Sequence, residues 1–207
     1  MNLAFKPTIL LLIFVLAPAI GFAQGTPQFD QLKQKFENEL VFKSNFVHEY
    51  NDTFTGDQQV TEGAIWVGKE QYKMRSGESI MLVDGEISKV YDSTKNRVIT
   101  SDYIEEEDDF APSRMLQGVD DSYSVEEHKK ENETVIELTS DDPFSIFMRV
   151  SIFLNPSGIP TRIVAIDQVE NELITTFNQG EFIPKTPEIF QFQYPEDAEE
   201  IDLRHDS

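Results

Sequence analysis

A long succession of short apolar segments, separated by turn residues, is the feature that most constrains the fold of this chain. One segment ends at Asp84-Gly85 and another at the run 155–158 (NPSG). Strands so close together in sequence pair as antiparallel hairpins. A meander of this length builds one large antiparallel sheet, as a half-barrel or a barrel. The predicted strands are 46–54, 60–67, 70–75, 79–83, 86–91, 97–101, 122–129, 134–140, 147–154, 162–167, 172–179 and 190–194.

Residues 27–40 are predicted to form one amphipathic helix in front of these strands. Apolar side chains recur there at spacings of three and four, with Lys, Gln and Glu between them. This is the pattern of a helix that buries one face. Pro27 suits the first turn of a helix. The apolar positions are Phe29, Leu32, Phe36 and Leu40.

A second, shorter helix or turn is expected within the insert 103–118. The acidic run 105–109 (EEEDD) lies early in this insert. Carboxylates are ligands suited to Ca²⁺, but the run lacks the alternating spacing and the glycine of an EF-hand loop. A solvated loop is therefore favoured over a calcium site. The segment 112–116 (PSRML) follows and carries Met115 and Leu116 as its apolar side chains.

Several predicted strands are apolar on both faces, for example 64–67 (AIWV) and 80–83 (IMLV). A sheet with one wet face alternates cleanly between apolar and polar residues, so both faces here are at least locally covered. Packing on the first helix accounts for most of these residues. One helix and one short segment are nevertheless little material for so many strands, which predicts an apolar cavity. Phe36, Trp66, Tyr72, Met74 and Met115 suit an adaptable lining for an acyl chain.

The composition excludes several classes of function. The 38 acidic and 17 basic residues give a net charge of -21, which excludes nucleic acid as a main partner and disfavours docking on an anionic membrane. The absence of cysteine excludes disulfides, thiol catalysis and zinc sites built from cysteine.

No catalytic motif is present in the sequence. It contains no Gly-x-Ser-x-Gly, no His-Glu-x-x-His and no phosphate-binding loop. His48, His128 and His205 are far apart along the chain, and so many acids make any chosen carboxylate pair uninformative. We expect a protein that is not an enzyme and that uses no cofactor or metal.

Residues 1–23 have the layout of a secretory signal peptide. Lys6 precedes the apolar run 8–16, Pro18 breaks that run, and small residues flank a cut after Ala23. A membrane anchor is the alternative, but the run is well short of the ~20 residues that span a bilayer. We therefore expect an exported protein with a single domain, residues 24–207.

Three segments follow one another along the chain, 63–67 (GAIWV), 72–74 (YKM) and 82–92 (LVDGEISKVYD). In this order and spacing they resemble the LolA family of periplasmic outer-membrane lipoprotein carriers. The leading helix with 42–46 (FKSNF) resembles the N-terminal part of the family. The segments 154–166 and 188–192 (EIFQF) resemble its C-terminal strands. The resemblance covers nearly the whole chain after the signal peptide.

The resemblance implies a mainly β (α+β) fold, with one large antiparallel sheet forming an open half-barrel. The N-terminal helix and the short middle helix would cover its concave face. It also implies a chaperone of the periplasm whose partners are acylated lipoproteins, an ABC-type release complex of the inner membrane and an outer-membrane acceptor. A shuttle of this kind is most simply a monomer. A lipid-binding or envelope-sensing module on the same half-barrel is the alternative.

A movable lid is our hypothesis for how such a carrier admits lipid. Residues 27–40 and 112–118 would leave the sheet, and Leu32, Phe36, Leu40, Met115 and Leu116 would exchange lid contacts for lipid contacts. Ile65, Val67, Tyr72 and Met74 would line the sheet side, although Trp66 and Met81 have an equal claim to face inward. By the resemblance, Lys69 stands where the family has a lid-closing arginine, and Arg114 is a second candidate for that role.

Overall fold

The computed structural model describes residues 26–104, 108 and 112–204. The expected signal peptide, and the acidic run 105–109 apart from Asp108, lie outside the described residues. Within them, α1 is Pro27–Glu37 and α2 is Pro112–Gln117. The strands are β1 Leu40–Asn51, β2 Gln58–Val67, β3 Tyr72–Ser76, β4 Ser79–Val83, β5 Ile87–Asp92, β6 Arg97–Asp102, β7 Ser124–Lys129, β8 Thr134–Thr139, β9 Phe147–Leu154, β10 Pro160–Asp167, β11 Glu172–Pro184 and β12 Glu199–Asp202.

The twelve strands form one open sheet made of two meanders that meet in its middle. The spatial order is β12-β6-β5-β4-β3-β2-β1-β11-β10-β9-β8-β7. The strands β2 to β6 run from β1 to one edge, and β7 to β11 run from the other edge back to β1. All pairs are antiparallel except β12 on β6, which is parallel. The prediction of a single large open sheet with two helices is confirmed, with β12 as a parallel addition at the edge.

Two long connections cross the sheet on opposite faces. The connection from β6 to β7 carries α2, which joins α1 in the buried core. The connection from β11 to β12 lies on the other face, where Lys73 Nζ donates to the carbonyls of Ile189 (3.2 Å) and Gln191 (2.8 Å). The predicted strand 190–194 is wrong, because this aromatic segment packs on the face of the sheet instead of pairing in it. The rings of Tyr91 and Tyr194 are 6.3 Å apart.

The helix α1 ends at Glu37, three residues earlier than the sequence predicts. The Asn38 amide donates to the Gln34 carbonyl at 2.9 Å, and Glu39 then adopts a φ of 55°. A residue in the left-handed region ends a helix and reverses the chain. Leu40 is therefore the first residue of β1, opposite Pro184, and its helical spacing from Phe36 is a coincidence.

Candidate functional site: the helix-covered face of the sheet

The helix α1 packs its apolar stripe onto the sheet. Phe29, Leu32 and Phe36 have at most 2% of their surface exposed, as the spacing of three and four predicts. The Phe36 ring meets the Phe182 ring of β11 edge-on, with centroids 5.5 Å apart. Burying side chains of this size stabilises a fold by about 1.5–3 kcal/mol each. Leu40 is only partly buried and lies outside this stripe.

The short helix α2 packs beside α1 on the same face. Met115 and Leu116 are buried in one cluster with the α1 side chains. Gly118 follows α2 with a φ of 115°, and a Cβ atom there would lie 3.0 Å from Phe29 Cζ. Glycine at this position therefore allows both the turn after α2 and its close approach to α1.

On the sheet side, Ile65, Val67 and Tyr72 are fully buried beneath the helices. Met74 lies on the same face and is partly buried against them. Of the two residues whose direction the sequence left open, Met81 faces the helices as the register partner of Met74. Trp66 faces the opposite side as the partner of Lys73, whose ammonium lies 5.9 Å from the ring centroid.

One apolar row on this face extends beyond the helices. Residues that pair across neighbouring strands point to the same side of a sheet, and the register aligns Ile65, Met74, Met81, Val90 and Ile99 from β2 to β6. We call these five residues the apolar row. Ile65 is fully buried, whereas the other four are partly exposed. Val90 and Ile99 were not among the predicted site residues. Pairing the predicted hairpins β4–β5 and β5–β6 in register would have placed both residues on the same face as Met81.

Polar contacts hold α1 at its first turn and along its length. Glu127 of β7 accepts the amide hydrogens of Gln28 (2.8 Å) and Phe29 (3.3 Å) through Oε2. This carboxylate satisfies amides that a helix start leaves unpaired and complements the helix dipole. Lys35 Nζ donates to the Gly158 carbonyl at 2.7 Å, and burial lowers the pKa of Lys35.

Lys69, in the turn between β2 and β3, connects to both helices. Its ammonium lies 3.0 Å from Glu37 Oε2 at the end of α1, and this hydrogen bond raises the pKa of Lys69. Its carbonyl accepts a hydrogen bond from Gln117 Nε2 of α2 at 2.5 Å. Both side chains of the ion pair are about half exposed, so the contact is a weak one.

Arg114 serves the turn after α2. Its Nη2 lies 3.6 Å from Asp120 Oδ2, with 12% of the side chain exposed, and its carbonyl accepts the amides of Gly118 (3.0 Å) and Val119 (2.9 Å). It therefore contributes to the turn that positions α2 against α1.

Two tyrosine hydroxyls fix the crossing segment onto the sheet at Asp108. Tyr72 of β3 donates to Asp108 Oδ2 at 2.7 Å, and Tyr103 donates to the same oxygen at 2.9 Å. Burial and the Asp108 charge raise the pKa of Tyr72. Asp108 is the one described residue of the acidic run, and it bonds to protein hydroxyls.

A pocket of about 610 Å³ opens beside α2, at the turn end of β2 to β5. It is lined mainly by polar and charged side chains, among them Lys69, Glu70, Asp84, Glu86 and Arg114. This pocket does not confirm the predicted apolar cavity, because the apolar surface lies beneath the side chains of α1 and α2. Across the described ranges, no group of three or more acidic or histidine side chains is arranged to hold a metal ion. No helix in those ranges combines the length and apolarity needed to cross a bilayer.

No protein-family model and no curated protein matches the chain. Solved structures do match. An uncharacterized conserved protein from Thermus thermophilus has a TM-score of 0.53 and 10% identity, over 86% of this chain and 99% of its own. A LolA superfamily protein from Nitrosomonas europaea has a TM-score of 0.44 and 13% identity, over 79% and 97%. MucB, solved in complex with MucA, has a TM-score of 0.46 and 13% identity, over 82% and 60%.

The likeness to the Thermus protein shows that the fold is shared across the whole length of that protein. The family that the sequence resembles is also represented among the structures that match.

Proposed function

We propose that the protein is a periplasmic carrier that binds the acyl chains of lipoproteins between its helices and its sheet. It would receive them from an ABC-type release complex of the inner membrane and pass them to an outer-membrane acceptor. The observation that carries the proposal is the apolar row. Apolar surface continues from beneath α1 across four more strands, where it is only partly covered, and so offers a start for an acyl chain.

Binding by displacement explains how such a carrier can release its cargo. Burying acyl carbons stabilises a complex by ~0.8 kcal/mol per CH₂, so a permanently open apolar cavity would hold a multiply acylated lipoprotein too tightly. Here Phe29, Leu32 and Phe36 already occupy the sheet surface that the acyl chains would take. Entry of lipid therefore breaks the contacts of α1 with the sheet. The net binding free energy is the difference between burying the acyl chains and burying the α1 side chains on the same surface.

The contacts at the ends of α1 suit a lid. The Lys69–Glu37 pair is solvent-exposed and the Glu127 cap is only partly buried, and exposed ion pairs contribute little to stability. The apolar stripe therefore holds α1 closed, and an acyl chain can replace that stripe. The sequence resemblance supports the identity of the cargo and of the two membrane partners.

A first test compares two neighbouring residues of β6 that face opposite sides. Ile99→Gln alters the apolar row, whereas Thr100→Gln alters the other face at a similarly exposed position. We expect Ile99→Gln to weaken binding of a synthetic triacylated lipopeptide about tenfold, since partial burial of an isoleucine side chain by an acyl chain contributes about 1.4 kcal/mol, which is a tenfold change in affinity. Thr100→Gln should bind as the unaltered protein does. Equal affinities of the two variants would contradict the proposed site.

A second test locks the lid. Because the chain has no cysteine, Glu37→Cys with Lys69→Cys can be joined by a bis-maleimide that has a reducible spacer. The lock should abolish lipopeptide binding, and reduction should restore it. The matched control is Lys43→Cys with Glu181→Cys, an exposed pair 3.4 Å apart that joins β1 to β11 and leaves α1 movable. Undiminished binding by the locked protein would show that α1 is not the lid.

Mass spectrometry of molecules that co-purify from the periplasm separates the carrier from a lipid-binding or sensing module. An acylated protein among these molecules supports the carrier. Lipid alone would support the module in its place.

A further inference from the structure

The three most exposed large apolar side chains of the described residues belong to turns that lie side by side. Phe54, Phe144 and Val169 have 97%, 92% and 71% of their surface exposed. They lie in the turns 52–57, 140–146 and 167–171, which connect β1 to β2, β8 to β9 and β10 to β11. We call these three turns the turn cluster.

Hydrogen bonds between the turns show that they form one surface. The Thr53 amide donates to Asn171 Oδ1 at 3.1 Å, and Gln168 Nε2 donates to the Asp142 carbonyl at 3.3 Å. The register agrees, because Asn51 pairs with both Gln58 and Glu172 at this end of the sheet. The turns that carry Lys69 and Gly158 lie at the other end of the same strands. The turn cluster is therefore separate from the contacts that hold α1.

All three turns present their apolar residue by the same local bond. An aspartate two residues earlier accepts the backbone amide of the apolar residue, at 2.9 Å in each case. The bonds run from Phe54 to Asp52, from Phe144 to Asp142 and from Val169 to Asp167. Such Asx turns fix the backbone locally. The backbone that carries the three side chains is thus fixed, which lowers the entropy that a binding partner must remove.

Single exposed apolar residues are ordinary on a protein surface. Here three exposed apolar side chains lie on adjoining turns, each with the same Asp-x-apolar bond, and none of them packs in the core of this chain. The charged side chains of the three turns themselves are all acidic. The sequences 52–57 (DTFTGD), 140–146 (SDDPFSI) and 167–171 (DQVEN) contain six carboxylates and no lysine or arginine.

From this arrangement we infer that the turn cluster docks a protein partner whose surface has apolar recesses within a rim of lysine and arginine. Charge complementarity selects this partner, since opposite charges steer association and like charges suppress wrong partners. An anionic bilayer and a second copy of this acidic chain are both disfavoured by the same carboxylates. The inference is independent of the proposed acyl-chain binding, which would use the helix-covered face of β2 to β6.

Site-specific photo-crosslinking in the cells that produce the protein tests this inference. Benzoylphenylalanine is placed at position 54 or 144, and at position 131 as the control, since Glu131 lies in the exposed β7–β8 turn at the other end of the sheet. We expect positions 54 and 144 to give adducts with one and the same protein, and position 131 to give none with it. That protein is then purified for binding measurements.

The binding measurements decide whether the adduct reports the proposed chemistry. Phe54→Ser with Phe144→Ser, and separately Asp57→Lys with Asp141→Lys, should each weaken binding at least about tenfold, and added NaCl should weaken the unaltered complex. Both pairs are surface changes, so the variants should bind the triacylated lipopeptide normally. Binding that ignores salt and charge reversal would overturn the inference. Adducts with lipid, adducts with a second copy of this chain, or adducts no stronger than at position 131 would also overturn it. A further contrary result would be that the unaltered protein binds vesicles of phosphatidylethanolamine and phosphatidylglycerol and the serine variant does not.

Discussion

The two meanders bury the helix-covered face to different extents. On β8 to β10, Ile136, Leu138, Ile152 and Ile163 are at most 1% exposed. On β4 to β6, the apolar row stays partly exposed at equivalent inward positions. The position of the helices agrees with the difference, because α1 contacts the central strand β1 and α2 contacts β9. One meander is closely packed on this face, and the other leaves part of its apolar surface exposed.

The largest expected effect compares isoleucines of the two meanders. Ile152→Ala should lower the free energy of unfolding by about 3–4 kcal/mol, because a fully packed site cannot collapse around the missing atoms. Ile99→Ala should lower it by about 1 kcal/mol or less, since solvent already reaches that side chain. Urea unfolding of both variants measures the difference. Equal losses would mean that the two meanders are packed alike.

His48 tests β1, the strand at which the two meanders meet. Its Nδ1 lies 2.8 Å from Thr175 Oγ1, and burial lowers the pKa of His48 from 6.5 to about 4. The unfolded chain therefore binds a proton at a pH where the folded chain does not. Stability should fall as the pH decreases from about 6.5 to about 4, by up to about 3 kcal/mol.

Urea unfolding as a function of pH measures this loss. In His48→Gln the decline between those pH values should be smaller by the same amount. An unchanged profile in this variant would assign the acid sensitivity to other groups.

A substitution at Gly118 tests the close contact between α2 and α1 on the helix-covered face. Gly118→Ala combines a φ of 115° with a Cβ atom 3.0 Å from Phe29 Cζ, and should cost about 1–2 kcal/mol. Gly77→Ala is the control, since Gly77 has a φ of 52° and no neighbour within 4 Å of a new Cβ atom. Hydrogen exchange should quicken in α1 only for Gly118→Ala. Equal exchange rates of α1 in both variants would show that the close approach of residue 118 to Phe29 does not control the stability of α1.

Lys69 gives the smallest expected effect. Lys69→Ala removes an exposed ion pair to Glu37 and should leave the urea midpoint unchanged. Amide exchange of the last turn of α1 should nevertheless quicken, because that turn loses its link to the sheet. The comparison is Lys43→Ala, which removes an exposed pair on β1 and should leave α1 exchange as it was. A lowered urea midpoint would mean that Lys69 stabilises the whole sheet.

Local sequence patterns predicted most of the helices and strands, but they did not predict contacts between residues far apart along the chain. Turn residues marked the hairpins, but the continuous apolar run 64–67 left open whether Ile65 and Val67 or Trp66 face the helices. The helix cap by Glu127 comes from a strand almost a hundred positions away, and no local pattern announces it. Likewise β12 (Glu199–Asp202) carries three acids and one isoleucine, so edge pairing alone makes it a strand.

The aromatic alternation of 190–194 is typical of a strand, yet this segment packs on the face of the sheet and does not pair with an edge strand. Within the candidate site, burial of the helix stripe followed from periodicity. How far the apolar row continues depended on register, which is set by turn geometry along the whole meander.

The pairing of β1 with β11 has a consequence for how the chain acquires its structure. Leu40 pairs with Pro184 and Asn51 with Glu172, so the central seam joins the first strand to one of the last. Each meander can zip from hairpin to hairpin, but this closure must await nearly complete synthesis and a costly loop. Until then both partners present long unpaired edges, the state in which nascent β-proteins are most prone to aggregate.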